Sequence, residues 1–257
     1  LKQARDSLRQ QNENLEQQVQ QRTEENELIK DVSLNALALL AEKRDNETGN
    51  HLHRTQAYVE LLIEHLRDHP RFAQALRTPN DRLIAKAAPL HDIGKVGIAD
   101  HILLKPGRLT PEEFEVMKTH SQIGADALHE AILRVQAGHG TGLSRGPGPA
   151  LEFLQIAQQI ALGHHEKWNG SGYPRGLAGD DIPVAARLMA LADVFDALTC
   201  KRHYKEPFPI DKVVQIITDG RGQHFDPEVV DAFLALQSRF VEVAVRYADT
   251  PPRHALG

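Results

Sequence analysis

Leu83-Ile84-Ala85-Lys86-Ala87-Ala88-Pro89-Leu90-His91-Asp92-Ile93-Gly94-Lys95 carries apolar residues at helical spacing into a histidine–aspartate doublet and then meets a glycine. The spacing predicts a helix over 83–93 that ends at Gly94. On such a helix the adjacent His91 and Asp92 diverge by about 100°. They still reach neighbouring cations if Asp92 bridges with its two oxygens.

The helical reading extends in both directions. Residues 52–66 hold apolar side chains at helical spacing. Thr110-Pro111-Glu112-Glu113 reads as a helix start, with Thr110 as cap, Pro111 in the first turn and Glu113 closing a capping box. The helix that follows carries Phe114, Met117, His120, Ile123 and Leu128 toward one broad face. Residues 150–166, 183–200 and 226–237 give three more helices, the last opened by Asp226-Pro227. Strand signals are few, so the expected class is all-α. Two segments break the pattern. Residues 135–149 hold five glycines and two prolines and read as a flexible excursion. Residues 167–182 contain Asn169-Gly170, Ser171-Gly172, Tyr173-Pro174 and Gly176, a turn-rich loop placed where function often resides.

Residues 1–30 are nearly all polar and contain neither Gly nor Pro. One heptad core position holds Leu1, Leu8, Leu15 and Ile29, with Arg22 the exception, and the other holds Arg5, Asn12, Val19, Asn26 and Ser33. This is a weak coiled coil whose asparagines would fix register in a parallel dimer; a solvated single helix or linker is the alternative. From Leu28 the chain turns apolar, with Leu34, Leu37, Leu39 and Leu40.

Around the doublet lie Glu47-x-x-x-His51, His120, the pair His164-His165, and Asp193, so eight potential metal ligands, five of them histidines, span about 150 residues. With Cys200 the sole cysteine, a thiolate zinc site is excluded. So rich a His/Asp set suits two or three hydrolytic ions better than one structural metal. Two ions about 3.5–4 Å apart hold a hydroxide nucleophile and clamp a phosphoryl oxygen. Glu47 and His51 are four apart and share a face if helical; Gly49 between them weakens a regular helix, and the alternative is that they straddle a helix start. The remaining scattered histidines, such as His65, His69, His101, His129, His139, His203 and His254, read as surface or capping residues.

The 257 residues are 41% hydrophobic and 25% charged, ordinary for a globular chain. A net charge of −5 gives no basic surface for a nucleic-acid polymer, and no apolar run is long enough for a membrane span. The lone cysteine fits a reducing cytoplasm.

The residues resemble those of the HD-GYP domain, a branch of the HD phosphohydrolases that hydrolyses the bacterial messenger cyclic di-GMP. The resemblance runs over 44–51 (Arg-Asp-Asn-Glu-Thr-Gly-Asn-His), 91–95 (HDIGK), Leu104-Lys105-Pro106-Gly107, His120, His164-His165-Glu166, and Gly170-Ser171-Gly172-Tyr173-Pro174. It continues through Asp193-Val194-Phe195-Asp196-Ala197-Leu198, Arg202-x-Tyr204-Lys205, and His224-Phe225-Asp226-Pro227. It implies an HD-domain helical bundle over residues 34–240, a coiled-coil-like linker helix over 1–33 and a tail over 241–257. It implies that His51, His91, Asp92, His120, His164, His165 and Asp193 ligate two metals, with Asp92 as bridge and Glu47 placed for a third. Iron or manganese is the expected metal, although ligand chemistry alone does not choose. Lys95 would stabilise charge on the phosphate or leaving oxygen, Arg202 and Lys205 would approach substrate phosphates, and Tyr173 would shape the entry. The expected reaction opens cyclic di-GMP to pGpG, with GMP as a further product. A hydrolase preferring linear pGpG, a non-catalytic module binding the nucleotide or a cyclase, and an HD nucleotidase for ordinary nucleotides are the alternatives. Expected partners are a GGDEF-type cyclase, an upstream receiver or sensor domain, and a second copy of the chain. Asn169 stands where the family usually has aspartate, and His203 where proline is frequent.

Overall fold

The computed structural model describes residues 2–44, 50–76, 80–138, 148–200 and 207–248. Glu47, Arg202, Lys205 and most of the 135–149 excursion lie outside the described residues. The described chain is all-α. Its elements are α1 (Lys2–Arg44), α2 (Asn50–Leu66), α3 (Ala73–Leu76), α4 (Asn80–Ala87), α5 (Asp100–Leu103), α6 (Pro111–Lys118), α7 (His120–Gly138), α8 (Pro149–Gly163), α9 (Val184–Thr199), α10 (Ile210–Asp219) and α11 (Pro227–Arg246). Short 3₁₀ turns at Ala88–Leu90, Ile93–Gly97 and Gly179–Asp181 join them. By its contacts the chain divides into two units, Leu1–Leu40 and Ala41–Gly257.

The first unit is a single helix. Exposed i,i+4 and i,i+3 pairs, Arg9–Glu13 and Arg22–Glu25, brace its polar surface. Leu15, Val19, Leu28, Ile29, Val32 and Leu37 stand exposed along it.

In the second unit, α2, α9 and α11 enclose a buried aromatic cluster. Tyr58 stacks on Phe240 with centroids 4.8 Å apart and meets Phe195 edge-on at 5.1 Å, while Phe233 packs on both phenylalanines. The buried alanines of α9, Ala185, Ala186, Ala190 and Ala192, let α2, α8 and α11 approach its backbone closely. Truncating Phe195 to alanine would cost about 3–5 kcal/mol through lost burial and the cavity left behind. This core makes α9 a fixed rail, and Asp193 and Asp196 project from it.

The helix expected over 83–93 is interrupted. Pro89 lacks a donor N–H and its ring opposes a continuing α-helix, so α4 stops at Ala87 and a 3₁₀ turn follows. His91 and Asp92 therefore sit in a turn between two 3₁₀ segments, with Asp92 at φ −102° and ψ 12°. The start at Thr110 is as read: Thr110 accepts from Glu113 N–H while Glu113 accepts from Thr110 N–H. The long helix expected after it breaks at Thr119, whose hydroxyl donates to the Val116 carbonyl at 2.6 Å, so Phe114 and His120 lie on successive helices. The sequence reading did not single out α10, which buries Val213 and Ile217 one turn apart.

Candidate metal centre

Glycine 94 explains how HDIGK meets α7. A Cβ there would lie 1.9 Å from the His120 carbonyl oxygen and 2.5 Å from Gly124 N, both backbone atoms. Only a residue without a side chain lets the HDIGK turn rest on the first turn of α7. That contact brings His120 to Asp92. On the other side Arg44, at the end of α1, donates to the carbonyls of Val96 and Ile98 (the latter at 3.0 Å) and pairs with Asp100 at 2.8 Å.

Local structure also sets the tautomers. His91 Nδ1 lies 2.9 Å from the Ala88 carbonyl, His120 Nδ1 2.7 Å from Met117 O, and His164 Nδ1 3.0 Å from Ile160 O. A carbonyl can only accept, so each Nδ1 carries a proton and each neutral ring keeps its lone pair on Nε2. His51 Nδ1 likewise donates to Asp196 Oδ2 at 2.8 Å. His164 is the C-cap residue of α8, and the pair His164-His165 turns out of the helix end.

The Nε2 atoms of His91, His120 and His164 converge on Asp92. Its Oδ1 is 3.2 Å from His120 Nε2 and 3.5 Å from His164 Nε2. Its Oδ2 is 3.2 Å from His91 Nε2 and 2.7 Å from Lys95 Nζ. Two ligand groups result, Asp92/His120/His164/His165 and His51/His91/Asp193, with candidate atoms within 4.8 Å of one another in each. His51 Nε2 and Asp193 Oδ1 are 4.0 Å apart. The buried Nε2 of His91 and of His164, and Asp92 Oδ1, make no well-aligned hydrogen bond. Lone pairs facing carboxylate oxygens in a buried space repel unless a cation lies between them. The donor set therefore fits divalent cations: imidazole and carboxylate, with no thiolate.

The electrostatics agree. Burial alone would raise the Asp92 carboxyl, but the Lys95 ammonium beside it, together with His91, holds it well below the usual carboxylate range. Burial lowers His164 and, more strongly, His165, so both stay neutral as ligands must. Burial also pulls His91 down, yet the Asp92 charge outweighs it and His91 is raised overall. A proton on His91 and a divalent cation are alternative ways to satisfy the same carboxylates.

Seven of the eight sequence-predicted ligands are thus gathered, with Lys95 among them; Glu47 is outside the described residues. Tyr173 lies over His165 with ring centroids 4.7 Å apart. Asp196, Glu166 and Gly172 fall in the stretches that carry the resemblance, but the sequence assigned them no role, and it did not point to Arg54 at all. Asp196 is buried, accepts from His51 and takes Arg54 Nε at 2.6 Å and Nη2 at 3.0 Å. Its spacing of three from Asp193, on one face of α9, was the available signal. Glu166 is buried and accepts from Arg175 N–H at 2.7 Å and Leu177 N–H at 3.1 Å, which pins the loop that carries Tyr173. A Cβ on Gly172 would fall 2.3 Å from Lys167 N, so that glycine lets the loop fold back against its own root. Asn169 accepts from Ser171 N–H at 3.0 Å, closing the kind of turn an aspartate also forms.

The profile of the HD domain family matches residues 148–229. A Vibrio cholerae protein named probable cyclic di-GMP phosphodiesterase is 49% identical over 248 residues, covering 96% of this chain and 54% of its own length. The chain belongs to the HD domain family. A second Vibrio cholerae relative, named cyclic di-GMP phosphodiesterase, is 51% identical across 86% of this HD-domain chain and 42% of its own length. The chain thus spans about half the length of these curated relatives. A solved structure of a Vibrio cholerae phosphodiesterase, named as cyclic GMP-AMP specific, covers 85% of the chain and 54% of its own at TM-score 0.51 and 19% identity, a likeness of fold. Among the described residues no helix is long and apolar enough to cross a membrane.

Proposed function

We propose that this HD domain is a metal-dependent phosphodiesterase that opens cyclic di-GMP to pGpG and carries the product on to GMP. The observation that carries the reading is the position of Asp92, one oxygen facing His120 and His164 and the other facing His91. His51, His91 and Asp193 would hold one cation, His120, His164 and His165 the other, with Asp92 shared and Glu47 available to a third. The metal is iron or manganese. Such ions, when bound, polarise a phosphoryl oxygen and bring the pKa of a water to about 7.

The chain's own groups do the rest. Lys95 sets an ammonium beside Asp92, where charge builds on the phosphoryl and leaving oxygens. Asp196 and Arg54 keep the His51 ring in one orientation. Tyr173, held by the Glu166-pinned loop, walls the mouth of the site and limits water. Arg202 and Lys205 supply cationic contacts to the substrate phosphates, Arg as a bidentate fork and Lys as a point charge. Support for the substrate comes from relatives named for cyclic di-GMP that match 86% and 96% of the chain. The exposed apolar residues of α1 support pairing with a second copy as a coiled coil, and such a helix suits a link to an upstream receiver or sensor domain. Contact between the Gly-Tyr-Pro loop and a GGDEF-type cyclase, and a cytoplasmic location, complete the reading.

The test is chromatography of nucleotides after anaerobic loading with Mn(II) or Fe(II), with cyclic di-GMP and pGpG supplied separately. Conversion of cyclic di-GMP to pGpG or GMP, abolished by Asp92→Ala, is the expected result. Turnover of pGpG alone would recast the protein as a linear-dinucleotide hydrolase, and tight binding without product would make it a receptor.

A further inference from the structure

Next to the ligand histidines, α6 presents side chains that its own packing does not explain. None of its eight residues is buried, and Phe114 is 46% exposed. The Phe114 ring meets Tyr173 edge-on with centroids 6.3 Å apart, and Tyr173 in turn covers His165 at 4.7 Å. Lys118 Nζ lies 5.6 Å from the centroid of each of the two rings, Phe114 and Tyr173. An exposed aromatic face, a second aromatic and an ammonium thus stand one ring away from the centre where a phosphate would react.

We propose that Phe114 and Lys118, with Tyr173, form the subsite that recognises a guanine base of the substrate; the inference rests on the phosphodiesterase reading above. Phe114 gives the base a stacking face, an interaction worth about 5- to 100-fold per base. Lys118 donates to the base edge. Lysine has donors and no acceptor, so it complements guanine, whose O6 and N7 both accept, and disfavours adenine, which places an N6 donor beside N7. Lys118 also pairs with exposed Glu115 at 2.7 Å, a surface contact weak enough to yield to a base. The subsite therefore separates cyclic di-GMP from cyclic di-AMP, which offers it no guanine in either orientation, without altering the metal ligands.

The experiment uses the full metal-loaded chain and three diesters: cyclic di-GMP, cyclic di-AMP and bis(p-nitrophenyl) phosphate, which carries no purine. Phe114→Leu is expected to lower kcat/KM for cyclic di-GMP about tenfold more than for the purine-free diester, mainly through KM, with Phe114→Trp restoring it. Lys118→Gln is expected to narrow the preference for cyclic di-GMP over cyclic di-AMP about tenfold, and Lys118→Arg to retain it. Equal losses on all three diesters, or an unchanged base preference in Lys118→Gln, would overturn the assignment. A wild-type protein that cleaves only the purine-free diester would instead overturn the substrate reading, and the subsite with it.

Discussion

The buried Asp196 carboxylate accepts the Nδ1–H of His51 at 2.8 Å, and this one contact ties a ligand histidine on α2 to the aromatic core through α9. The same carboxylate holds Arg54, which is also buried and donates to the Tyr247 carbonyl at 2.9 Å. Removing one partner of a buried pair strands the other. Asp196→Ala is expected to cost about 3–5 kcal/mol in urea unfolding. It should also weaken Mn(II) affinity about 10- to 100-fold by releasing the His51 ring. Calorimetric titration of the folded variant at low temperature checks the second effect, and unchanged affinity would show that His51 is not a positioned ligand.

Gly94→Ala probes the packing of HDIGK on α7. The new methyl would overlap the His120 carbonyl, so turn and helix must part. A melting point lowered by the equivalent of about 1–3 kcal/mol is expected. Metal affinity should fall with it, because His120 moves away from Asp92. A variant with wild-type melting and wild-type affinity would contradict the close approach.

Glu166→Gln tests the hold on the Tyr173 loop. A carboxylate accepts from both Arg175 N–H and Leu177 N–H, whereas an amide must turn its NH₂ toward one of them. Hydrogen exchange at those two amides should quicken while α9 stays protected, and turnover should drop by about tenfold or more as the wall loosens. Unchanged exchange would remove Glu166 from the account.

His224 gives the clearest dependence of stability on pH. Its ring stacks on Phe225 with centroids 4.2 Å apart, and burial, with Lys167 adding to it, drives its pKa down to about 4. An unfolded histidine titrates near about 6.5, so between these values the unfolded chain binds the extra proton. Stability contributed by neutral His224 is complete above that range and declines as pH falls toward 4. The decline is of order 2–3 kcal/mol. In His224→Gln the slope of unfolding free energy against pH over this window should be shallower than in the parent; equal slopes would refute the depressed pKa.

What the sequence made legible follows from how local each signal is. Thr110, Pro111 and Glu113 form a cap from adjacent residues, and the structure places it there. Pro89 was available as a breaker, but the apolar rhythm around it favours a continuous helix, and only the packed structure shows the doublet in a turn. The break at Thr119 is a tertiary outcome, since HDIGK must seat against the start of α7. The ligands were readable because their residue types are rare together. Asp196, Arg54 and Glu166 look like ordinary charged helix and loop residues until burial and partners are seen.

The most direct test of the central claim, a two-cation centre shared by Asp92, is anomalous diffraction from crystals loaded with Mn(II). The account predicts two peaks about 3.5–4 Å apart on either side of the Asp92 carboxylate. One should lie with His51, His91 and Asp193 and the other with His120, His164 and His165. A single peak, or two peaks that do not share Asp92, would contradict it.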